Sequence, residues 1–185
     1  WGRESTTMED IKAYKPKSSS ISSGQVLMRD YKFEECKVIV KEMTDALCLD
    51  MAEKEVVTES LTLMIGYSNV LELKPVNGTV SMTACTNSYR VIIPYVLDLY
   101  ERIVDKDKPI RRLSLTCNHI LEAIYEQYDL FTDYSEVDRD KKFQRAALEI
   151  KKRFGKNALV RGMDLQEVGT TIERNRQIGG HKSGE

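Results

Sequence analysis

Four stretches that alternate apolar and polar residues are interleaved with two stretches of helical period, in the order β-α-β-β-α-β, and few folds accept that order. From Phe33 to about Glu53, Cys36, Ile39, Val40, Met43 and Leu47 recur at helical spacing, with acidic Glu34 and Glu35 suited to a first turn. From residue 88 to 104, Ile93, Val96, Leu97, Tyr100 and Ile103 form a second stripe. Pro94 either opens that helix or kinks a longer one. Residues 18–27, 60–68, 79–86 and 109–118 read as strands. Leu61, Leu63, Ile65, Val80, Met82, Ala84, Leu113, Leu115 and Cys117 point to one side, and Thr62, Met64, Ser81, Thr83, Cys85, Arg112, Ser114 and Thr116 to the other. Asn77-Gly78 signals a turn into the third strand. The expected class is α+β: a four-stranded antiparallel βαββαβ sheet with two helices on one face, plus a C-terminal helical tail. The other sheet face is polar, and is either solvated or open to a partner.

The flanks divide the chain further. Residues 1–17 show no sustained period and read as a linker, 18–120 as the domain, 121–134 as a second linker, and 135–185 as a helix and tail. Ser135 followed by Asp138 signals a cap, and Gly155 a stop. Between them Phe143, Ala147, Ile150 and Phe154 form a narrow stripe beside a band of Lys141, Lys142, Arg145, Lys151, Lys152 and Arg153, with Lys156 beyond. Residues 157–185 are polar and expected to be mobile.

Several functions find no support. No apolar run approaches the ~18 residues that cross a bilayer, so no membrane partner is expected. Cys36, Cys48, Cys85 and Cys117 are widely spaced and, with His119 and His181, match no zinc pattern; they read as buried thiols of a reducing, cytoplasmic compartment. Ser23-Gly24 and Gly179-Gly180 lack the context of a phosphate loop, and no paired carboxylates stand ready to hold catalytic metals. No metal site, no cofactor and no enzymatic activity are expected of this stretch.

One short motif stands out. Gln127, Leu130 and Phe131 form a Gln-x-x-Leu-Phe string in the second linker. Adjacent large apolar residues in a linker either pack back on the domain or enter a partner's pocket, the amide bonding at its rim.

Together these residues resemble the C-terminal part of a Y-family translesion DNA polymerase of the UmuC-like, ImpB/MucB/SamB type found in Gram-positive bacteria. WGRE resembles the end of a thumb region. SSSISSGQVLMRDY resembles the entry to the little finger, YDLFTDY a clamp-binding segment, and RGMDLQEVGTTIERNRQIGGHK the C-terminal string of that branch. The resemblance implies a domain that grips the backbone of primer-template DNA, in damage tolerance, DNA repair and the SOS response. Ser20, Ser22, Thr62, Ser81, Thr83, Arg111, Arg112, Ser114 and Thr116 are the implied DNA contacts, with Arg112 foremost because a guanidinium bridges phosphate oxygens. Gln127, Leu130 and Phe131 would anchor a bacterial sliding clamp. The catalytic core of the same polymerase is the third implied partner. Its palm carboxylates and their Mg2+ lie outside this stretch, and Tyr128 stands where the family's clamp segment more commonly has a small or aliphatic residue.

A net charge of −1 first speaks against a DNA binder. The acids, however, gather on the helix that covers the sheet, and the bases on Arg111, Arg112 and the tail helix, so a local positive face is expected. An RNA-binding sheet would need exposed aromatics on its central strands, which these strands lack. A ferredoxin-like regulatory or scaffold module, binding a protein or small molecule, is the alternative; it leaves the Gln-x-x-Leu-Phe string unexplained.

Overall fold

The structure is a computed structural model that describes residues 6–14, 19–127 and 133–177. After a short helix α1 (Met8–Ala13), none of whose residues is buried, come β1 (Ser20–Tyr31), α2 (Phe33–Glu53), β2 (Val56–Tyr67), β3 (Val76–Thr86), α3 (Tyr89–Ile103) and β4 (Ile110–Asn118). A two-residue strand β5 (Leu121–Glu122), α4 (Tyr134–Phe154) and a short α5 (Thr171–Arg174) complete the order. The principal strands run β1-β4-β2-β3, all pairs antiparallel, and β5 pairs with the start of β2. Both βαβ units are thus split: β4 lies between β1 and β2, and β2 between β3 and β4. The expected α+β class and βαββαβ order are what is found. No helix among the described residues is long and apolar enough to cross a membrane.

Helices α2 and α3 cover one face, and Leu61, Leu63, Ile65, Leu113, Leu115 and Cys117 point up into them, each with no more than 1% of its surface exposed. Burial of this kind contributes about 1.5–3 kcal/mol per large side chain and holds the two layers together. Helix α2 begins where the Glu35 carboxylate accepts the Lys32 amide at 2.8 Å, and its expected stripe is buried throughout. Tyr100 stacks on Phe33 with ring centroids 4.7 Å apart and donates its hydroxyl to the Phe33 carbonyl at 2.8 Å, tying α3 to the start of α2. The four cysteines are buried free thiols. Burial pushes Cys36 and Cys117 up to about 12 and Cys48 well above the ordinary thiol value, which keeps all three unreactive.

Several expectations are corrected. Helix α3 runs through Pro94, the longer of the two alternatives; Val96 and Tyr100 of its expected stripe are buried, but their buried neighbours are Ile92 and Leu99, while Ile93, Leu97 and Ile103 are half-buried. Asn77-Gly78 is not a turn: both residues pair inside β3, with Met64 and Leu63. The turn lies earlier, around a 3-10 stretch Asn69–Leu71 and the left-handed Glu72 (φ 48°). Gly78 answers a packing demand instead. A Cβ there would stand 2.8 Å from Leu99 Cδ1 and 2.9 Å from Ile103 Cγ2, so glycine lets α3 approach the strand. Cys85, expected outward, is buried where the Gln127 backbone exchanges two 2.9 Å hydrogen bonds with it.

The tail differs most. Asp133, not Ser135, caps α4, accepting the amides of Ser135 and Glu136, while Gly155 (φ 99°) does end it. The buried face of α4 is Val137, Asp140, Gln144 and Ala147, whereas Phe143 and Phe154 are exposed. Asp140 accepts the Ser88 hydroxyl at 2.6 Å at the start of α3, and Gln144 donates to the Asn87 carbonyl at 3.0 Å. Residues 157–177, expected to be mobile, are docked on α2. Arg161 pairs with Asp45 at 2.5 Å and lies over the Tyr89 ring, and the Thr170 amide and hydroxyl both donate to the buried Glu42 carboxylate. The polarity that suggested mobility is used in these contacts.

Candidate nucleic-acid interface

Strand register brings the polar residues of the uncovered sheet face into rows. Ser20, Asn118, Ser60 and Ser81 form one row; Ser22, Thr116, Thr62 and Thr79 the next; Gly24, Ser114, Met64 and Asn77 a third. Val26, Arg112 and Gly66 make the last. No carboxylate occurs in any row. Seven of the nine expected contact residues, Ser20, Ser22, Thr62, Ser81, Arg112, Ser114 and Thr116, are therefore together on this face.

The hydroxyls in the middle are linked. The Asn118 amide donates to Thr62 Oγ1 at 2.9 Å, and Thr62 Oγ1 shares a hydrogen bond with Thr79 Oγ1, 2.8 Å away. The exposed Thr79 hydroxyl ends this chain at the outer strand. Thr79, Asn77 and Asn118 were missed in the sequence because Asn77 sits where a turn was read, while Thr79 opens and Asn118 closes a strand as read there. Their signal was the alternation continuing past Gly78.

Arg112 is the cation of this face. Its stem lies across Gly66: a Cβ on Gly66 would come within 2.5 Å of Arg112 Cγ and 3.1 Å of Cδ and Nε. Its guanidinium reaches Asn69 Oδ1 at 3.5 Å, and no ion pair neutralises it among the described residues. The exposed Val26 of β1 is its cross-strand neighbour.

Two expected residues do not join. Between Gly66↔Arg112 and Tyr67↔Ile110 the β4 register skips Arg111, a bulge that takes this residue out of the alternation. Arg111 pairs instead with Asp30 at 3.7 Å. Thr83 lies past the irregularity between β2 and β3, and its hydroxyl is 2.9 Å from that of Tyr95 on α3. The expected positive face is likewise narrower than foreseen, because α4 with its basic band packs on α2 and α3, in the helix layer. His119 (φ 50°) closes β4 with Nδ1 3.1 Å from the Glu59 carboxylate, at the rim of the first row. Gln127 is pinned to the edge of β3; Leu130 and Phe131 lie outside the described residues. Among the described residues no group of three His, Cys, Asp or Glu side chains is placed to hold a metal ion.

Residues 18–130 match the model of the impB/mucB/samB family C-terminal domain. The chain is 28% identical over 179 residues to DNA polymerase IV 2 of Bacillus subtilis (strain 168), covering 91% of this chain and 42% of that protein. It is 26% identical over 167 residues to the putative UV-damage repair protein UvrX of the same organism, covering 89% of this chain and 39% of that one. Among solved structures, the complex of beta-clamp processivity factor and little finger domain of PolIV matches with a TM-score of 0.44 and 9% identity, over 62% of this chain and all of that one. The chain belongs to the impB/mucB/samB family and carries its C-terminal domain, the family that the resemblance implied. It spans about two-fifths of the length of these curated relatives.

Proposed function

We propose that the chain is the DNA-gripping little finger of a Y-family translesion polymerase, holding duplex primer-template by its sugar-phosphate backbone on the open sheet face. The observation that carries this reading is the composition of that face: rows of hydroxyl and amide groups, no carboxylate, and one unpaired guanidinium laid over Gly66. Such a surface offers hydrogen-bond donors to phosphate oxygens and repels none of them. Its side chains stand on a sheet, with no helix or ribbon of its own that would enter a groove and bring them to base edges, so binding is sequence-blind. Its single cation makes the grip weak by itself, which suits a domain that steadies a substrate already engaged by a catalytic core. Polymerase chemistry, its palm carboxylates and its Mg2+ belong in this reading to the larger part of the relatives that this chain does not span.

Fluorescence anisotropy with a labelled duplex at two ionic strengths tests it. Affinity should fall with salt, be alike for unrelated sequences, and drop for all of them in Arg112→Ala. Salt-independent binding, or an unchanged Arg112→Ala, would remove the phosphate grip.

Gln127, Leu130 and Phe131 complete the proposal as a tether to a bacterial sliding clamp. Support comes from the Gln-x-x-Leu-Phe string and from the anchoring of Gln127 on β3. Replacing Leu130 and Phe131 with Ala should abolish capture by an immobilised clamp; unchanged capture would assign them to packing.

A further inference from the structure

A band of exposed positive charge lies away from the open sheet face, on α4. Arg139, Lys142, Arg145, Lys152, Arg153 and Lys156 are all exposed on the outward half of α4 and just past its end, with Asp138 and Glu149 the acids among them on that side. Lys142 and Lys152 have exposed carboxylate partners, Asp138 at 2.6 Å and Glu53 at 2.9 Å. Pairs of that kind contribute little and are readily exchanged. Arg139, Arg145, Arg153 and Lys156 have no ion-pair partner among the described residues. From Arg139 to Arg153 the helix rises about 21 Å. Near the C-terminal end Phe154 is 66% exposed, with the Arg153 guanidinium 5.3 Å from its ring centroid.

The opposite side of α4 is occupied. Asp140 and Gln144 hold the start of α3, Arg90 pairs with Glu136 at 2.6 Å, and Val137 and Ala147 are buried. The basic half is thus fixed in one orientation and faces solvent.

We propose that this face of α4 is a second nucleic-acid contact, and that its ligand is single-stranded. A row of guanidinium and ammonium groups with an exposed aromatic ring is the chemistry that tracks a strand's phosphates and stacks a base. Strandedness follows from position and rests on the sheet-face reading. Helix α4 packs on α2 and α3, in the helix layer, so its basic half is on a different surface from the open sheet face. A duplex lying on that sheet face cannot bend round the domain, since its persistence length is about 150 base pairs. A single-stranded template overhang can.

The test uses the whole chain, with Arg139→Gln/Arg145→Gln/Arg153→Gln compared with the unsubstituted protein against labelled single-stranded and duplex oligonucleotides at 50 and 200 mM salt. Three lost phosphate contacts should lower the slope of log affinity against log salt for the single strand by about 2. Between those salt concentrations the unsubstituted chain should then lose about 20-fold more single-strand affinity than the variant. Duplex affinity should stay unchanged, as should the melting temperature, because all three arginines are exposed. An unchanged single-strand slope overturns the proposal. So does equal competition by polyglutamate of matched charge, which would identify an acidic protein surface as the ligand. A failure of the sheet-face reading looks different: duplex binding insensitive to Arg112→Ala while the α4 variant still loses the single strand.

Discussion

Gly66→Ala separates the placement of Arg112 from the stability of the sheet. The added Cβ would stand 2.5 Å from Arg112 Cγ, inside any allowed contact, and 3.1 Å from Cδ and Nε. Because Cγ lies near the root of the side chain, Arg112 has to leave its rotamer and lift its guanidinium from the last row of the open face. The fold itself loses little. Alanine in a strand interior gains about 0.5–1 kcal/mol over glycine from reduced backbone freedom, and an off-rotamer arginine costs about as much. Stability should therefore stay within ~1 kcal/mol, a shift of a few degrees in melting temperature. Duplex binding should fall nearly as far as in Arg112→Ala. A charge-assisted hydrogen bond is worth about 1.5–3 kcal/mol, or roughly 10- to 150-fold in affinity, and one lost phosphate contact lowers the salt slope by about 0.9. Anisotropy at two salt concentrations with a parallel thermal melt reads both quantities. The double variant with Arg112→Ala should bind no worse than Arg112→Ala alone, since both changes remove one contact. A Gly66→Ala protein that melts normally and binds duplex with full affinity and slope would refute the role given to Arg112.

Other consequences concern the tail. Asp140→Ala strands the buried Ser88 hydroxyl and removes an anion from the start of α3, so it should destabilise the chain by about 2–4 kcal/mol in a denaturant titration. Ser88→Ala combined with Asp140→Ala should cost less than the two singly, giving a coupling energy of ~1 kcal/mol or more. Glu42 carries a pH dependence. Burial holds its carboxyl above the ordinary 4.5, against the hydrogen bonds from Thr170 and Thr171 that favour the anion, and nearby Asp164 raises it further. Burial raises Asp45 in the same direction, against Arg161. An unfolded Glu42 therefore loses its proton before the folded one, and the docked tail loses stability as pH climbs from about 4.5 through the raised value. Hydrogen exchange of residues 157–177 should show this trend and show it reduced in Glu42→Gln; identical trends would remove Glu42 as its source.

Much of the domain was legible because its signals are periodic and its core is made of aliphatic residues. The bounds of α2 and the inward residues of β2 and β4 follow from spacing alone, since displacing Leu113 or Leu115 by one position would put each in water. What was not legible depends on contacts between distant segments. Gly78 carries a turn's signature in its dipeptide, yet its cause is Leu99 and Ile103, about 20 residues on. Gly66 has no local reason at all until Arg112 is seen lying over it. On α4 the aromatic stripe misled, because the face that docks is built from Asp140 and Gln144, whose partners Ser88 and Asn87 belong to another helix start. Alternation put Arg112 on the outward face and Arg111 toward the helix side, but the β4 bulge and the Asp30 carboxylate that pairs with Arg111 depend on contacts outside the strand.

Backbone amide shifts on titration with a duplex test the central claim most directly, because they report which face of the domain meets the DNA. Perturbations should be confined to the open-face rows, foremost Ser22, Thr116, Thr62, Thr79 and Arg112, and should vanish together as salt rises. Perturbations centred on α2 and α3, with those rows unmoved, would contradict the grip on the sheet.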